Sequence, residues 1–536
     1  MKISFLARLG LAGTLLLSTT ACEKNLLDQV NPNAPLTEQS WKSSDDAVKA
    51  SVANYAGLHG LGMYRRWLHF ALDLRDDTGF SQSPWGELAA FTRFEQINYD
   101  FEVSRDIWRD HYRTIFRSNQ ILANVPGIQM DATLQKRILA EARFLRALSY
   151  FNLVSLYGNV PLVLQYSTDL NQTSPQGTEA TVWTQIYSDL QAAQADLPVS
   201  YEGNNVGRAT KGAATTLLGK AYMQNRRWAD AQAQFAQVIA PSSGYELETV
   251  PYTSNFRHTT ENNRESIFEV QFSDANRGGN DGAEGPNSTS SQGGQRSQFW
   301  GLPGAGFNDG EVRPWVVREF LLEPTANGQR DPRLAATVFY NRRDLTQFPT
   351  SLPIDADTLA YGVGFLQRNS PENNTPEALA TAIRNRARVY HRKYATDYFR
   401  TFEDFDSPIN HRVMRFADVL LLQAEALNEQ GQTAAAVPLI NRVRTRAGLA
   451  PLPASASASR EAMHMQIMHE RITELTGEGV RWFDLQRWGL LNNQTEVDRL
   501  EARDPDFSTF VVGRSRLLPI PQTDVDLNRL TQNPNY

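Results

Sequence analysis

The chain has 536 residues, of which 41% are hydrophobic, 21% charged and 10% aromatic, with a mean hydropathy of -0.45. That length exceeds one ordinary core, and the composition is that of a water-soluble globular chain, neither disordered nor membrane-spanning. The formal net charge of -6 gives no electrostatic reason to hold nucleic acid, which draws basic surfaces.

Taken in chain order, the first element reads as an export signal. Lys2 and Arg8 form a short basic start, residues 9–17 are apolar, and Ser18-Thr19-Thr20-Ala21 supplies small residues before Cys22. The apolar run is too short to span a bilayer. Cys22, the single cysteine in the sequence, stands where a lipoprotein signal peptidase would leave it as the first residue. Its thiol could then carry diacylglycerol and its amine a further acyl chain such as palmitate, a stable anchor at about 0.8 kcal/mol per buried methylene. Residues 1–21 are therefore expected to be a lipoprotein signal peptide, although Thr19 replaces the usual Leu. An ordinary secretory peptide with a chance cysteine is the alternative. With one cysteine there can be no internal disulfide, so stability must come from the core.

Beyond Cys22 the spacing predicts helices joined by loops. Residues 134–154 place Ile138, Ala142, Leu145, Leu148 and Phe151 three or four apart, an amphipathic helix that Gly158 and Pro161 should end. Residues 45–58, 104–125 and 181–197 read similarly. Residues 212–239 read as a tetratricopeptide-type hairpin, with Leu218, Gly219 and Tyr222 on the first helix and Ala231 and Phe235 on the second. Gly219 should let the next helix approach closely. A second hairpin is expected over 416–446, broken at Gly431, with Pro438 threatening a kink in its second helix. Generic helix pairs would leave the same pattern.

Between the hairpins the character changes. Residues 273–313 are rich in Gly, Asn, Ser and Gln yet carry Phe299, Trp300 and Phe307, which a merely solvating linker has no reason to expose. Residues 368–377 read as a second loop and 451–459 as a small-residue linker. The expected fold is mainly α: helical repeats within about 40–240 and 410–490, with a loop-rich insertion over about 245–410.

Catalytic motifs are scarce. His469-Glu470 begins like a helical zinc site, but Thr473 stands where the second histidine should be, and His464 is five residues away. Gly301, Gly304 and Gly306 are wrongly spaced for a dinucleotide turn. Glu470, Glu474 and Glu478 are four apart, which would put a carboxylate stripe on one helix face. Such a pair can do glycosidase acid–base work. A like-charge stripe also calls for cations, and Arg442 and Arg446 supply a matching stripe, with Arg471, Arg481 and Arg487 nearby. Helix-locking ion pairs are the expected role, and no catalytic residue, metal or cofactor is assigned.

The ordered motifs then identify a resemblance. Leu26-Leu27-Asp28-Gln29 with Asn31-Pro32-Asn33, Trp108, Tyr112 and Asn119, Glu141-Ala142-Arg143-Phe144-Leu145-Arg146-Ala147, and Tyr157-Gly158-Asn159-Val160-Pro161-Leu162 come first. Arg415-Phe416-Ala417-Asp418, Ala424-Glu425-Ala426, Asn441-Arg442-Val443-Arg444, Arg481-Trp482-Phe483-Asp484-Leu485 and Pro519-Ile520-Pro521 follow. Together they resemble the SusD/RagB family of outer-membrane nutrient-binding lipoproteins, over nearly the whole chain. The resemblance implies a single domain over 22–536 with four tetratricopeptide-like helix pairs on one side and loops on the other. It implies lipid anchoring in the outer membrane at the cell surface. It also implies a SusC-type TonB-dependent transporter as partner, docked on the helical side, and a ligand on the loop side. That ligand is commonly an oligosaccharide, in some members a peptide, and no cofactor or enzymatic activity is implied; a surface glycosidase remains the distant alternative.

Sugars present apolar C–H faces to aromatic rings and hydroxyls to amides, carboxylates or guanidinium groups, so a site should combine such groups on loops held by a rigid scaffold. Two stretches fit. Residues 76–87 carry Trp85 after Ser83-Pro84, and residues 298–315 carry Phe299, Trp300, Asn308 and Asp309 among glycines. The family has no strict motif that assigns individual contacts.

Overall fold

A computed structural model describes residues 41–167, 169, 173–249, 251–275, 292–340, 359–360, 363–364 and 388–536. The signal segment, Cys22, the 26–33 motif and the loop 368–377 lie outside the described residues.

Among the described residues nine long helices carry the architecture: α1 Ser44–Tyr55, α2 Glu102–Asn124, α3 Ala132–Tyr157, α4 Glu179–Asp196, α5 Lys211–Gln224, α6 Trp228–Ile239, α7 Phe416–Glu429, α8 Thr433–Arg446 and α9 Arg460–Leu475. Their starts follow from sequence. Ser43 closes a capping box with Asp46, and the side chains of Asp131, Thr178, Thr210 and Ser459 accept the first free backbone N–H groups of α3, α4, α5 and α9. α3 ends at Gly158, whose φ of 69° suits glycine. Pro438 lies inside α8 without ending it; Ala436, Ile440 and Val443 stay buried on either side, so packing carries the helix past the lost hydrogen bond.

Successive helices pack on one another from α2 through α8, α1 lies against α2 and α3, and α9 packs on α7. The α5–α6 hairpin is as expected: a Cβ at Gly219 would lie 2.5 Å from the Phe235 ring, so only glycine permits this approach. Tyr222 in turn meets Tyr187 of α4, ring centroids 4.8 Å apart. The long insertion does not interrupt the array, because α6 packs directly on α7 and Lys220 reaches Asp418 at 2.7 Å.

The insertion is made of short pieces. β2 Ser266–Val270 pairs antiparallel with β6 His411–Arg415 and leads the chain back to α7. A small sheet has the order β1 Gly79–Phe80, β3 Glu311–Val312, β5 Val389–His391, β4 Val338–Phe339. One continuous apolar core joins both parts, from Phe144 of α3 stacked edge-on against Phe268 of β2 to Trp67, Phe70, Phe299 and Trp300.

Candidate functional site on the loop side

The two stretches singled out by sequence meet. Gly79 pairs with Val312 and Phe80 with Glu311, the Arg313 backbone N–H donates to the Thr78 carbonyl at 2.7 Å, and the Trp315 indole donates to the Asp77 carbonyl at 2.7 Å. A short strand pair thus brings residues some 230 positions apart to one place.

From there an aromatic ladder runs outward. Trp85, half-buried at the start of the helix Gly86–Thr92, stands edge-on to Trp67 at 5.8 Å; Trp67 meets Phe299 at 5.8 Å, and Phe299 meets Phe307 at 5.3 Å. The Arg66 guanidinium covers the faces of Trp67 and Phe299 at 4.5 and 4.3 Å and donates to the Gln295 side chain at 2.7 Å. Phe307 is 47% exposed, and Phe405 packs beneath it at 5.7 Å.

Three of the expected contact residues, Phe299, Trp300 and Asp309, are buried. Phe299 and Trp300 are each only 3% exposed. They lie on the short helix Arg296–Trp300, which turns its side chains inward against Phe70. The Trp300 ring is clamped between the Arg296 guanidinium at 4.1 Å and the His391 ring at 4.3 Å, and Gly310 passes so close that a Cβ there would meet the indole at 2.9 Å. They are the floor of the loop, not its surface. Asp309 is likewise buried, its backbone N–H bound to the Phe299 carbonyl at 2.7 Å. Asn308 is half-buried with φ of 64°, a left-handed turn that asparagine tolerates and that swings Phe307 outward.

Beneath this floor lies a buried imidazole cluster. His69 and His411 ring centroids are 4.5 Å apart, and burial holds His69, His391 and His411 neutral, well below the usual imidazole range, with Arg296 pushing the same way.

The glutamate stripe is structural in geometry. Glu470 and Glu474 lie on α9, whereas Glu478 falls beyond its end between Gly477 and Gly479, whose φ values of 77° and 74° end the helix. All three are buried. Glu474 contacts Arg446, Arg415 at 2.5 Å and Arg333 at 3.0 Å; Glu478 contacts Arg415 at 2.6 Å and Lys393 at 2.7 Å; Glu470 contacts Arg444. Burial alone would raise the Glu474 carboxyl, but these arginines hold it well below the ordinary range. Arg446 was correctly matched to the stripe. Arg442 was not: it reaches Glu246 on the surface at 2.7 Å, and Arg444, the next residue but one, turns inward instead. Arg415 and Arg333, distant in sequence, supply the rest. Glu323, His469 and Glu470 stand close enough to suggest a metal, yet Arg444 occupies the carboxylates of both glutamates and His469 faces Glu319 at 2.8 Å. A guanidinium there removes the negative charge that a cation would need.

Sequence reasoning passed over residues 396–406. There Phe402 is 60% and Phe399 40% exposed, and Phe405 touches both Phe299 and Phe307. The signal was present as Phe399, Phe402 and Phe405, three apart among charged residues, a period that reads as helix until the braced loop is seen.

Comparison with known proteins places this geometry. Residues 264–536 match the SusD family model, and residues 49–223 match a model described as "Starch-binding associating with outer membrane". SusD-like protein P25 of Formosa agariphila is 28% identical, covering 96% of this chain and 95% of its own. A SusD superfamily protein from Bacteroides vulgatus superposes with a TM-score of 0.77 at 23% identity, over 92% of this chain and all of that one. A laminarin-binding SusD-like protein superposes with a TM-score of 0.71 at 26% identity, also over 92% of this chain and all of that one. With the family model spanning half of the sequence and the helical array beneath a loop-borne aromatic surface, the chain belongs to the SusD family.

Proposed function

We propose that this protein is a cell-surface lipoprotein that captures oligosaccharides and hands them to a SusC-type TonB-dependent transporter in the outer membrane. The observation that carries the binding step is the aromatic ladder that runs from half-buried Trp85 through Trp67 and Phe299 to exposed Phe307 on the loop side. Ring faces on a preorganised loop suit the C–H faces of sugars, and a fixed loop spends little ordering entropy on binding. The laminarin-binding relative and the outer-membrane description of the family model support the same reading. Anchoring follows from Cys22 as read in sequence, and the transporter supplies the energy, so the binding protein needs no cofactor. Binding without hydrolysis is supported by the glutamates: Glu470, Glu474 and Glu478, the carboxylates spaced for acid–base work, are buried beside arginines and away from the loop surface on which a glycan would lie.

The test is affinity electrophoresis in gels holding laminarin, starch or another neutral polysaccharide, with tryptophan quenching by glycans and by oligopeptides in parallel. Retardation by at least one glycan, with no product released, is expected. Quenching by peptides with no response to any glycan would transfer the reading to peptide uptake.

A further inference from the structure

Residues 396–406 form a loop that is exposed at Phe399, Thr401 and Phe402 and braced by hydrogen bonds at both ends. At its neck, Glu403 accepts from the Thr396 backbone N–H and hydroxyl, both at 2.7 Å, and its own N–H donates to the Ala305 carbonyl at 2.7 Å. Inside the loop, Arg400 donates to Asp404 at 2.5 Å and to Asp274 and the Asp406 carbonyl at 3.0 Å. Its far end is tied down by reciprocal Gly294–Ser407 backbone bonds of 2.8 and 3.0 Å. On one side the Tyr398 hydroxyl lies 2.7 Å from Nδ1 of His258, whose ring also lies against Phe399 at 4.5 Å, and the Arg257 guanidinium covers Tyr398 at 4.9 Å.

This bracing presents two phenyl rings to solvent, Phe402 at 60% and Phe399 at 40% exposure, separated by Arg400 and Thr401. Exposed rings are costly to hold still, and between these two Arg400 turns its guanidinium inward while Thr401 stays exposed, so a hydroxyl and not a continuous apolar patch lies beside the rings. That alternation suits a polyol, whose ring faces stack while its hydroxyls meet polar neighbours, better than a flat protein surface. The loop is also continuous with the ladder described above, because Phe405 at its end packs on both Phe299 and Phe307.

We propose that loop 396–406 is a second arm of the glycan site, on which Phe399 and Phe402 stack sugar residues further along a chain that lies on Trp85 and Phe307. The inference rests on the glycan-binding reading and adds a length dependence to it. Calorimetric titration of laminaritriose and laminarihexaose, with maltotriose and maltoheptaose beside them, tests it on wild type, on Trp85→Ala and on the Phe399→Ala/Phe402→Ala double variant. Wild type should gain affinity from the short to the long member of the series it binds. The double variant should lose about tenfold toward the long member and little toward the short one, measured per folded molecule, with at most a small fall in melting temperature, since Phe402 is 60% exposed and Phe399, 40% exposed, packs on His258; Trp85→Ala should weaken both. Equal affinity of the double variant and wild type for the long oligosaccharide overturns the second arm while leaving glycan binding intact, and would reassign those rings to a protein contact. Wild type that binds none of these glucans, nor any neutral polysaccharide in the electrophoresis panel, sinks the parent reading and this one with it.

Discussion

Removing the Glu474 carboxylate should separate a structural glutamate from a catalytic one. In Glu474→Ala, Arg415, Arg446 and Arg333 lose an acid that now lies within salt-bridge distance of all three, in a setting where each of these side chains is buried. Glu265 still faces Arg415 and Arg446 at 2.9 and 3.0 Å, and Asp331 still faces Arg333 at 2.6 Å, so none is left wholly unpaired. Breaking one side of a buried pair costs about 3–5 kcal/mol, and the surviving acids argue for the lower half of that range. Unfolding entropy of about 2.1 cal/mol/K per residue, over roughly 500 residues, gives about 1 kcal/mol per degree, hence a fall in melting temperature of about 3–4 °C. Circular dichroism at 222 nm and urea titration would read it, with glycan affinity per folded molecule measured alongside. Affinity should hold. A melting temperature within a degree of wild type, or a glycan hydrolysis by wild type that vanishes in this variant, would refute the structural assignment.

Four further outcomes are expected. Burial lowers His59 and His111 to about 4 and His69, His391 and His411 well below their ordinary value of 6.5; because these folded values are depressed, the unfolded chain binds protons first as pH falls below 6.5. Each can cost up to about 1.4 kcal/mol per pH unit there, while burial raises the Glu261 and Asp504 carboxyls to about 8 and about 7, which opposes that loss over the same range; NMR titration should therefore find the His69 and His411 rings still neutral at pH 5.5, and their protonation in the folded protein would contradict the buried cluster. Trp85→Ala should weaken glycan binding per folded molecule by about 1–3 kcal/mol and, because the ring also packs on Trp67 and Phe101, cost some stability, though less than the about 3–5 kcal/mol expected of Trp300→Ala, which should leave affinity per folded molecule unchanged; the reverse pattern would exchange their roles. Gly219→Ala should destabilise by about 1–3 kcal/mol through the Phe235 ring, seen as a lower urea midpoint, and a neutral substitution would mean that the hairpin spreads freely. Cys22→Ser should release the protein into the aqueous phase on detergent partitioning or leave its signal uncleaved; unchanged membrane association would remove the anchor.

The helices were legible because each is a local problem. Periodic apolar residues over 134–154 and capping side chains such as Ser43 and Asp131 act within a few residues of where they sit, and the observed helices begin and end within about three residues of those expected. Gly219 was legible for the same reason, since its small size matters whichever helix approaches.

What sequence could not decide is which way a loop side chain faces. Phe299, Trp300 and Phe307 share one glycine-rich stretch and look alike in composition. Their fates diverge because Gly310 lets the chain cross over Trp300 while the left-handed turn at Asn308 throws Phe307 outward. The same limit applies to charge. That Glu474 wanted cations followed from its spacing alone, but its partners Arg415 and Arg333 lie 59 and 141 residues away, and only the folded path of the insertion brings them to it. Local periodicity thus determined the scaffold and the need for pairing, whereas burial and partner choice were decided by contacts between distant segments, which no local pattern encodes.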